Sequence, residues 1–424
     1  MRKLNVLFFS SLITGVVTGF FVSVYVLMSK VFSFIFFQGD PIETIPHLPL
    51  WYLIFVPTAV ILFVNYLIER NDRVREYGLR EIAQAIADNR ITYTFGDLIL
   101  KIIASALCIG SGFAVGNEGP SAAIGAMISS RFHRLFNLPK ELTKVSIGIG
   151  AGSGISAVFV SPITGILFAV ENVAYFLVKD FIGFLIVGSF SAFLVALHFL
   201  MPVVFKYSAG KLFQTDYLIA VMLFIPLITS SIYLYLTLRD RVMFFLSSFL
   251  ERKVPRSYRI PLISVTSGIV IGLLLKVSPY AAFSGHEVVV ALMNSKYHFP
   301  LFLIFLLAVL RIVANAVSLY ANAVGGLFIT LMSIGSLVGY GFGEIMRSFG
   351  FSTEPFYFAA IGAAVFVGVV MKVPFTSVVL ALEITYDYNV VVPVGFIVAV
   401  SSLLTGMIFD VRKLVLKGFK RKVK

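Results

Sequence analysis

Long apolar runs joined by short polar connectors set the pattern of this chain. Leu4 to Leu27, Leu48 to Leu67, Tyr217 to Leu236, Ile263 to Leu275 and Pro300 to Ala314 carry almost no charge. About 20 apolar residues in a helix cross the hydrocarbon core of a bilayer. The longer runs therefore predict spanning helices, and the shorter ones predict partial or broken ones. Between the runs lies Gly110-Ser-Gly-Phe-Ala-Val-Gly-Asn-Glu-Gly-Pro120, a glycine-rich stretch with one carboxylate inside it. Its glycines let the backbone turn sharply, and Pro120 favours the first turn of a new helix running into Ser-Ala-Ala-Ile-Gly-Ala-Met.

Composition fits that pattern. Hydrophobic residues make up 59% of the 424 and charged residues 13%, against roughly 45–50% and about 25% in soluble domains. A polytopic membrane protein in contact with lipid follows. The net charge of +13 would suggest nucleic acid in a soluble protein, but here the cations sit at the membrane edges. Arg2 and Lys3 lie at one terminus, and Arg412, Lys413, Lys417, Lys420, Arg421, Lys422 and Lys424 at the other. The positive-inside rule places both termini in the cytoplasm and implies an even number of crossings. Nucleic acid is not an expected partner. The first apolar run is too long for a signal peptide and lacks a small-residue cleavage pattern, so it reads as a retained first helix. No soluble regulatory domain is expected after the basic tail.

Metal and enzyme chemistry find little support. Cys108 is a lone cysteine, which excludes an internal disulfide and a thiolate cluster. His47, His133, His198, His286 and His298 are scattered without metal-ligand spacing. No cofactor or metal is expected, and no Ser/His/Asp set or carboxylate cluster has a spacing that suggests catalysis.

Glu118 is the candidate functional residue. An ionisable side chain inside a membrane segment is costly and is a functional suspect by default. A helix starting at Pro120 leaves unpaired N–H donors and a partial positive charge beside it, which together attract an anion without a cationic side chain.

An internal repeat organises the rest. Pro162-Ile-Thr-Gly-Ile-Leu-Phe-Ala-Val-Glu171 is echoed by Pro374-Phe-Thr-Ser-Val-Val-Leu-Ala-Leu-Glu383, with Pro, Thr, Ala and Glu in register across half the chain. Gly116-Asn-Glu118 with Gly125 likewise pairs with Gly326-Leu-Phe328 and Gly335. Half-length repeats in a membrane protein point to a pseudo-symmetric transporter with its site at the repeat interface, among broken helices. Glu171 and Glu383 read most simply as buried structural carboxylates that accept hydrogen bonds, and Gly148, Gly150, Gly152 and Gly154 as a close-packing stripe.

With these motifs the chain resembles the CLC family of chloride channels and chloride/proton antiporters, in its bacterial or archaeal form without CBS domains. The likeness runs from about Arg75 to Phe409. Gly116-Asn-Glu-Gly-Pro120 is similar to the family's Gly-Arg-Glu-Gly-Pro signature, whose glutamate is an external gate that competes with chloride and carries the proton. Gly325-Gly-Leu-Phe328 resembles its Gly-Gly-Ile-Phe-Ala-Pro stretch, whose amides help coordinate the central anion. The resemblance implies an all-α polytopic fold of two inverted-topology repeats with many tilted and broken helices. It implies one transmembrane domain over residues 1–424, with halves near 1–212 and 213–424, and a homodimer with one pore per subunit in a prokaryotic plasma membrane. It makes Glu118 the gate, and Tyr77, Gly116, Asn117, Gly119, Gly326, Leu327, Phe328 and Ile329 the anion-binding positions, with the Tyr77 phenol expected to replace the family's serine donor in part.

Several positions depart from the family pattern. The first anion loop, Gly-Ser-Gly-Ile-Pro-Glu in the family, aligns on Glu76-Tyr-Gly-Leu-Arg-Glu81, so its serine ligand is replaced by Tyr77. The distal tyrosine falls at Leu414. Asn117 stands for the usual arginine, and Ile329-Thr330 for Ala-Pro. The internal proton glutamate is replaced by Asn172, which cannot titrate. Channels lack that acid, and so do some antiporters, among them the fluoride-exporting branch, where an asparagine resembles Asn172. The usual methionine of that branch is absent from the first loop. The resemblance thus implies passive or proton-coupled movement of chloride or a similar small anion. A fluoride/proton antiporter, or a divergent family member with altered selectivity, stands as the alternative.

Overall fold

The computed structural model describes residues 2–74, 79–89, 94–174, 177–205, 215–293 and 300–422. Fourteen principal helices follow in chain order. The first seven are α1 (Arg2–Phe36), α2 (Leu50–Arg70), α3 (Phe95–Gly110), α4 (Glu118–Leu135), α5 (Thr143–Phe159), α6 (Pro162–Ala169) and α7 (Ile182–Ala196). The second seven are α8 (Thr215–Lys253), α9 (Arg256–Val277), α10 (Leu301–Tyr320), α11 (Phe328–Ser348), α12 (Pro355–Met371), α13 (Pro374–Thr385) and α14 (Val391–Lys422). Among the described residues there is no β-strand. Extended backbone pairs once, at an antiparallel bridge between Gly116 and Gly326.

Among the described residues, eight helical stretches are long and apolar enough to cross a bilayer, while α7, α12 and α13 are apolar but shorter. The protein is a multi-pass integral membrane protein. Burial grades the spans: 28% of the most apolar window is buried in the first stretch and 83% in α11. The α1 surface therefore faces lipid, and α11 forms the centre.

Local chemistry sets the breaks. Pro162 and Pro374 open α6 and α13, where a missing N–H costs nothing. Thr94 and Asp97 form a reciprocal capping box that starts α3. Gly112 takes φ +103, a left-handed conformation open to glycine, and turns the chain out of α3 toward Glu118.

Glycine contacts repeat between the halves. A Cβ on Gly125 in α4 would run into the carbonyl oxygen of Gly150 in α5, and one on Gly335 in α11 into that of Gly362 in α12. The same close approach thus holds α4 to α5 and α11 to α12, as small residues allow in a bilayer. Gly150 and Gly154 belong to the glycine stripe of the sequence, and packing is what they do.

The two repeat glutamates cap each other's helices. Glu171, in the turn that follows α6, accepts the N–H groups of Phe375 (3.0 Å) and Thr376 (2.8 Å) at the start of α13, and the Thr376 hydroxyl. Glu383, near the end of α13, accepts the N–H groups of Ile163 (3.1 Å) and Thr164 (2.6 Å) at the start of α6, with the Ser161 and Thr164 hydroxyls. Both residues are half-buried rather than buried, because they lie at helix ends, and each carboxylate satisfies donors that a helix start leaves open. Because α6 and α13 exchange these contacts end to end, they run antiparallel, as an inverted repeat requires.

Candidate functional site

Glu118 opens α4 at the centre of the fold, 3% exposed. Its Oε1 accepts the backbone N–H of Ile329 at 3.0 Å, in the first turn of α11. Oε2 is buried and has no hydrogen-bond partner among the described residues. The carboxylate of one half therefore rests on a helix N-terminus of the other, where backbone donors and the helix dipole favour negative charge.

Two glycines make room for it. Gly116 and Gly326 exchange both backbone hydrogen bonds, N to O at 2.7 and 2.6 Å, and so join the two halves immediately beside the carboxylate. A Cβ built on either would overlap Glu118 Oε2, closer than real Cβ contacts come. Leu327 precedes α11 as its N-cap without a side-chain hydrogen bond. Phe328 is buried and stacks on Phe159 at 4.1 Å between ring centroids, with Phe168 edge-on at 5.5 Å. These rings close the apolar side of the site.

Asn117 is the N-cap of α4 but makes no side-chain capping bond, and its Oδ1 is buried without a partner. Gly119 is buried in the first turn of the same helix. Asn117, Glu118, Phe328 and Ile329 border a cavity of about 640 Å³ that extends to Lys30, Glu383 and the pair His286 and Glu287. Tyr77 lies outside the described residues. Leu414 is carried by α14, with its side chain outside them. Asn172 lies away from this cavity, in the π-helical turn after α6, and donates through Nδ2 to the Phe168 carbonyl at 3.0 Å.

Two residues outside the anion-binding positions read from the sequence support the site. Thr330, one of the departures noted there, has a buried hydroxyl that donates to the Ser284 carbonyl at 3.1 Å, tying the first turn of α11 to the cavity wall. Arg311 is fully buried in α10. It donates to Ser333 Oγ (2.7 Å) on α11 and to the carbonyls of Tyr280 (2.9 Å), Ala282 (2.8 Å) and Phe283 (3.3 Å). A cation inside the apolar run from Pro300 to Ala314 was the available signal, by the same reasoning that singled out Glu118.

Broken helices from two half-chains, converging N-terminus against carboxylate inside a multi-pass bundle, define a membrane protein of the internally repeated class. The chain belongs to the voltage-gated chloride channel family, whose sequence profile matches residues 58–406. Members of this family are transporters and channels, not enzymes. The H(+)/Cl(-) exchange transporter ClcA of Vibrio cholerae is 25% identical over 82% of this chain and 75% of its own length. Among solved structures, a slow cyanobacterial Cl-/H+ antiporter superposes with a TM-score of 0.82 at 19% identity, covering 95% of each chain. A CLC-type fluoride/proton antiporter superposes at 0.77 and 16%, again over 95% of each. At those identities the likeness to the two structures is one of fold.

Proposed function

We propose that the protein moves chloride or a similar small anion across the membrane, and that Glu118 is the gate. The observation that carries this reading is the seat of the Glu118 carboxylate on the Ile329 amide, between Gly116 and Gly326. A carboxylate held there stands in for a bound anion. A hydrogen bond to a charged group contributes about 1.5–3 kcal/mol, a bias of about ten- to a hundredfold. That is enough to keep the seat filled by the side chain and small enough for protonation or a competing anion to empty it. Gly119, Leu327 and Phe328 shape the same seat. The Asn117 amide replaces a full positive charge there, leaving backbone donors as the attraction. Similar transporters of this family exchange the anion for protons. Asn172 offers no titratable group here and spends its amide on its own helix, so any coupled proton reaches Glu118 by another route.

Anion flux from proteoliposomes of the purified protein tests the reading, with chloride, fluoride, nitrate and sulfate compared at a fixed pH gradient. Wild type should pass at least one of them faster than empty vesicles, and faster at acid pH, where protonation releases the carboxylate. Glu118→Gln should conduct with little pH dependence and without proton uptake. No flux of any small anion would sink the transport reading; a variant matching wild type in pH dependence and coupling would remove Glu118 from the mechanism.

Dimerisation, with both termini in the cytoplasm of a prokaryotic plasma membrane, completes the proposal. Exposed apolar side chains such as Ile163 and Phe375 at the starts of α6 and α13 suit a partner subunit held by packing.

A further inference from the structure

The segment between Gly110 and Glu118 is irregular backbone at the centre of a membrane protein, where every N–H and C=O needs an internal partner. Its early part is tied mainly to its own helix: the Ser111 N–H bonds to the Leu107 carbonyl and that of Phe113 to the Cys108 carbonyl. Its later part is tied to the second half. Ala114 N–H donates to Ser318 Oγ at 2.9 Å, and its carbonyl accepts Asn315 Nδ2 at 2.8 Å. Asn315 and Ser318 lie one turn apart on α10, on one face, and clamp a single residue. Asn315 Oδ1 in turn accepts the hydroxyl of Tyr235 on α8 at 2.9 Å. All four residues are fully buried.

We propose that Asn315, held by Tyr235, is a positioning residue for Glu118. The clamp fixes Ala114, two residues before Gly116. The Gly116–Gly326 bridge passes that fix to the seam between the halves, and Glu118 follows two residues later. Satisfying the Ala114 backbone alone would need no third partner to orient the asparagine. Tyr235 supplies that orientation, leaving the amide nitrogen directed at the carbonyl. A loosened Ala114 would let the bridge drift and the carboxylate leave the Ile329 amide more readily. The anion path would then stay open at alkaline pH, where wild type is plugged.

The inference rests on Glu118 acting as the gate, and the experiment separates the two. Flux through wild type, Asn315→Leu and Tyr235→Phe would be measured in proteoliposomes at acid and alkaline pH, in the native and the Glu118→Gln backgrounds. Asn315→Leu should lower the acid-to-alkaline flux ratio by about threefold or more, the scale of one weakened hydrogen bond. Tyr235→Phe, which removes a hydroxyl and keeps the ring, should shift it the same way by less. Neither should alter the ratio in the Glu118→Gln background. An equal proportional loss of flux in both backgrounds marks Asn315 as merely structural and overturns the proposal. So does an unchanged ratio in both single variants. If Asn315→Leu does not fold, Tyr235→Phe decides by the same two criteria. Absent wild-type flux, or a Glu118→Gln variant identical to wild type, would instead sink the reading of Glu118 itself.

Discussion

Gly326 faces Glu118 so closely that the three atoms nearest a Cβ placed there all belong to the glutamate side chain. Glu118 can swing away without moving any backbone. Gly326→Ala should therefore evict the carboxylate from the Ile329 amide while leaving the fold intact. The expected outcome is a pH-flattened flux resembling that of Glu118→Gln, with an unchanged thermal midpoint. Strong pH dependence in the alanine variant would show that the seat in the structure is not the closed gate. The sequence made the acid visible because a carboxylate among glycines in an apolar chain has few uses. It did not show which donor the acid meets. Ile329 lies 211 residues away, and nothing local to Glu118 encodes that partner.

Between helices, the crossed caps are the distinctive feature. Glu383 accepts donors from Ile163, Thr164 and Ser161, so Glu383→Ala strips several bonds from the start of α6 at once. A lost cap costs about 0.5–2 kcal/mol. Thermal unfolding in detergent should show a drop of that order, with anion selectivity unchanged; a selectivity change at wild-type stability would assign Glu383 to the pathway instead. The repeat Pro-x-Thr-x-x-x-x-Ala-x-Glu already showed that the two segments are equivalent, and their structural reading matches the observed bonds. That each glutamate serves the opposite segment was hidden, since sequence similarity reports equivalence and not contact. The glycine stripe of α5 was easier to read, because a helix surface of small residues has packing as its plainest use. Arg311 and Asn315 escaped notice because a single polar residue barely changes the hydropathy of a long apolar run.

At the scale of the whole molecule, composition and run lengths were enough to establish a multi-pass helical membrane protein. The inverted halves and their broken helices came from the family likeness. Each described half contributes to one seat, so a dimer would carry two complete seats. Joining one intact subunit to one carrying Glu118→Gln should leave the pH-dependent part of the flux at about half that of the intact pair. A much larger loss would indicate that the subunits gate together.

The bridge between Gly116 and Gly326 also bears on how such a chain could arise. Each half supplies one lip of the seat, so a polypeptide of half this length would have no seat of its own. Fragments 1–212 and 213–424 made separately should thus be inert in vesicles, and made together in one cell should regain flux; activity in either fragment alone would refute this. A single-repeat ancestor would have faced the same constraint. It would have worked only as two copies inserted into the membrane in opposite directions, and gene fusion would then have made permanent an encounter that had depended on chance orientation.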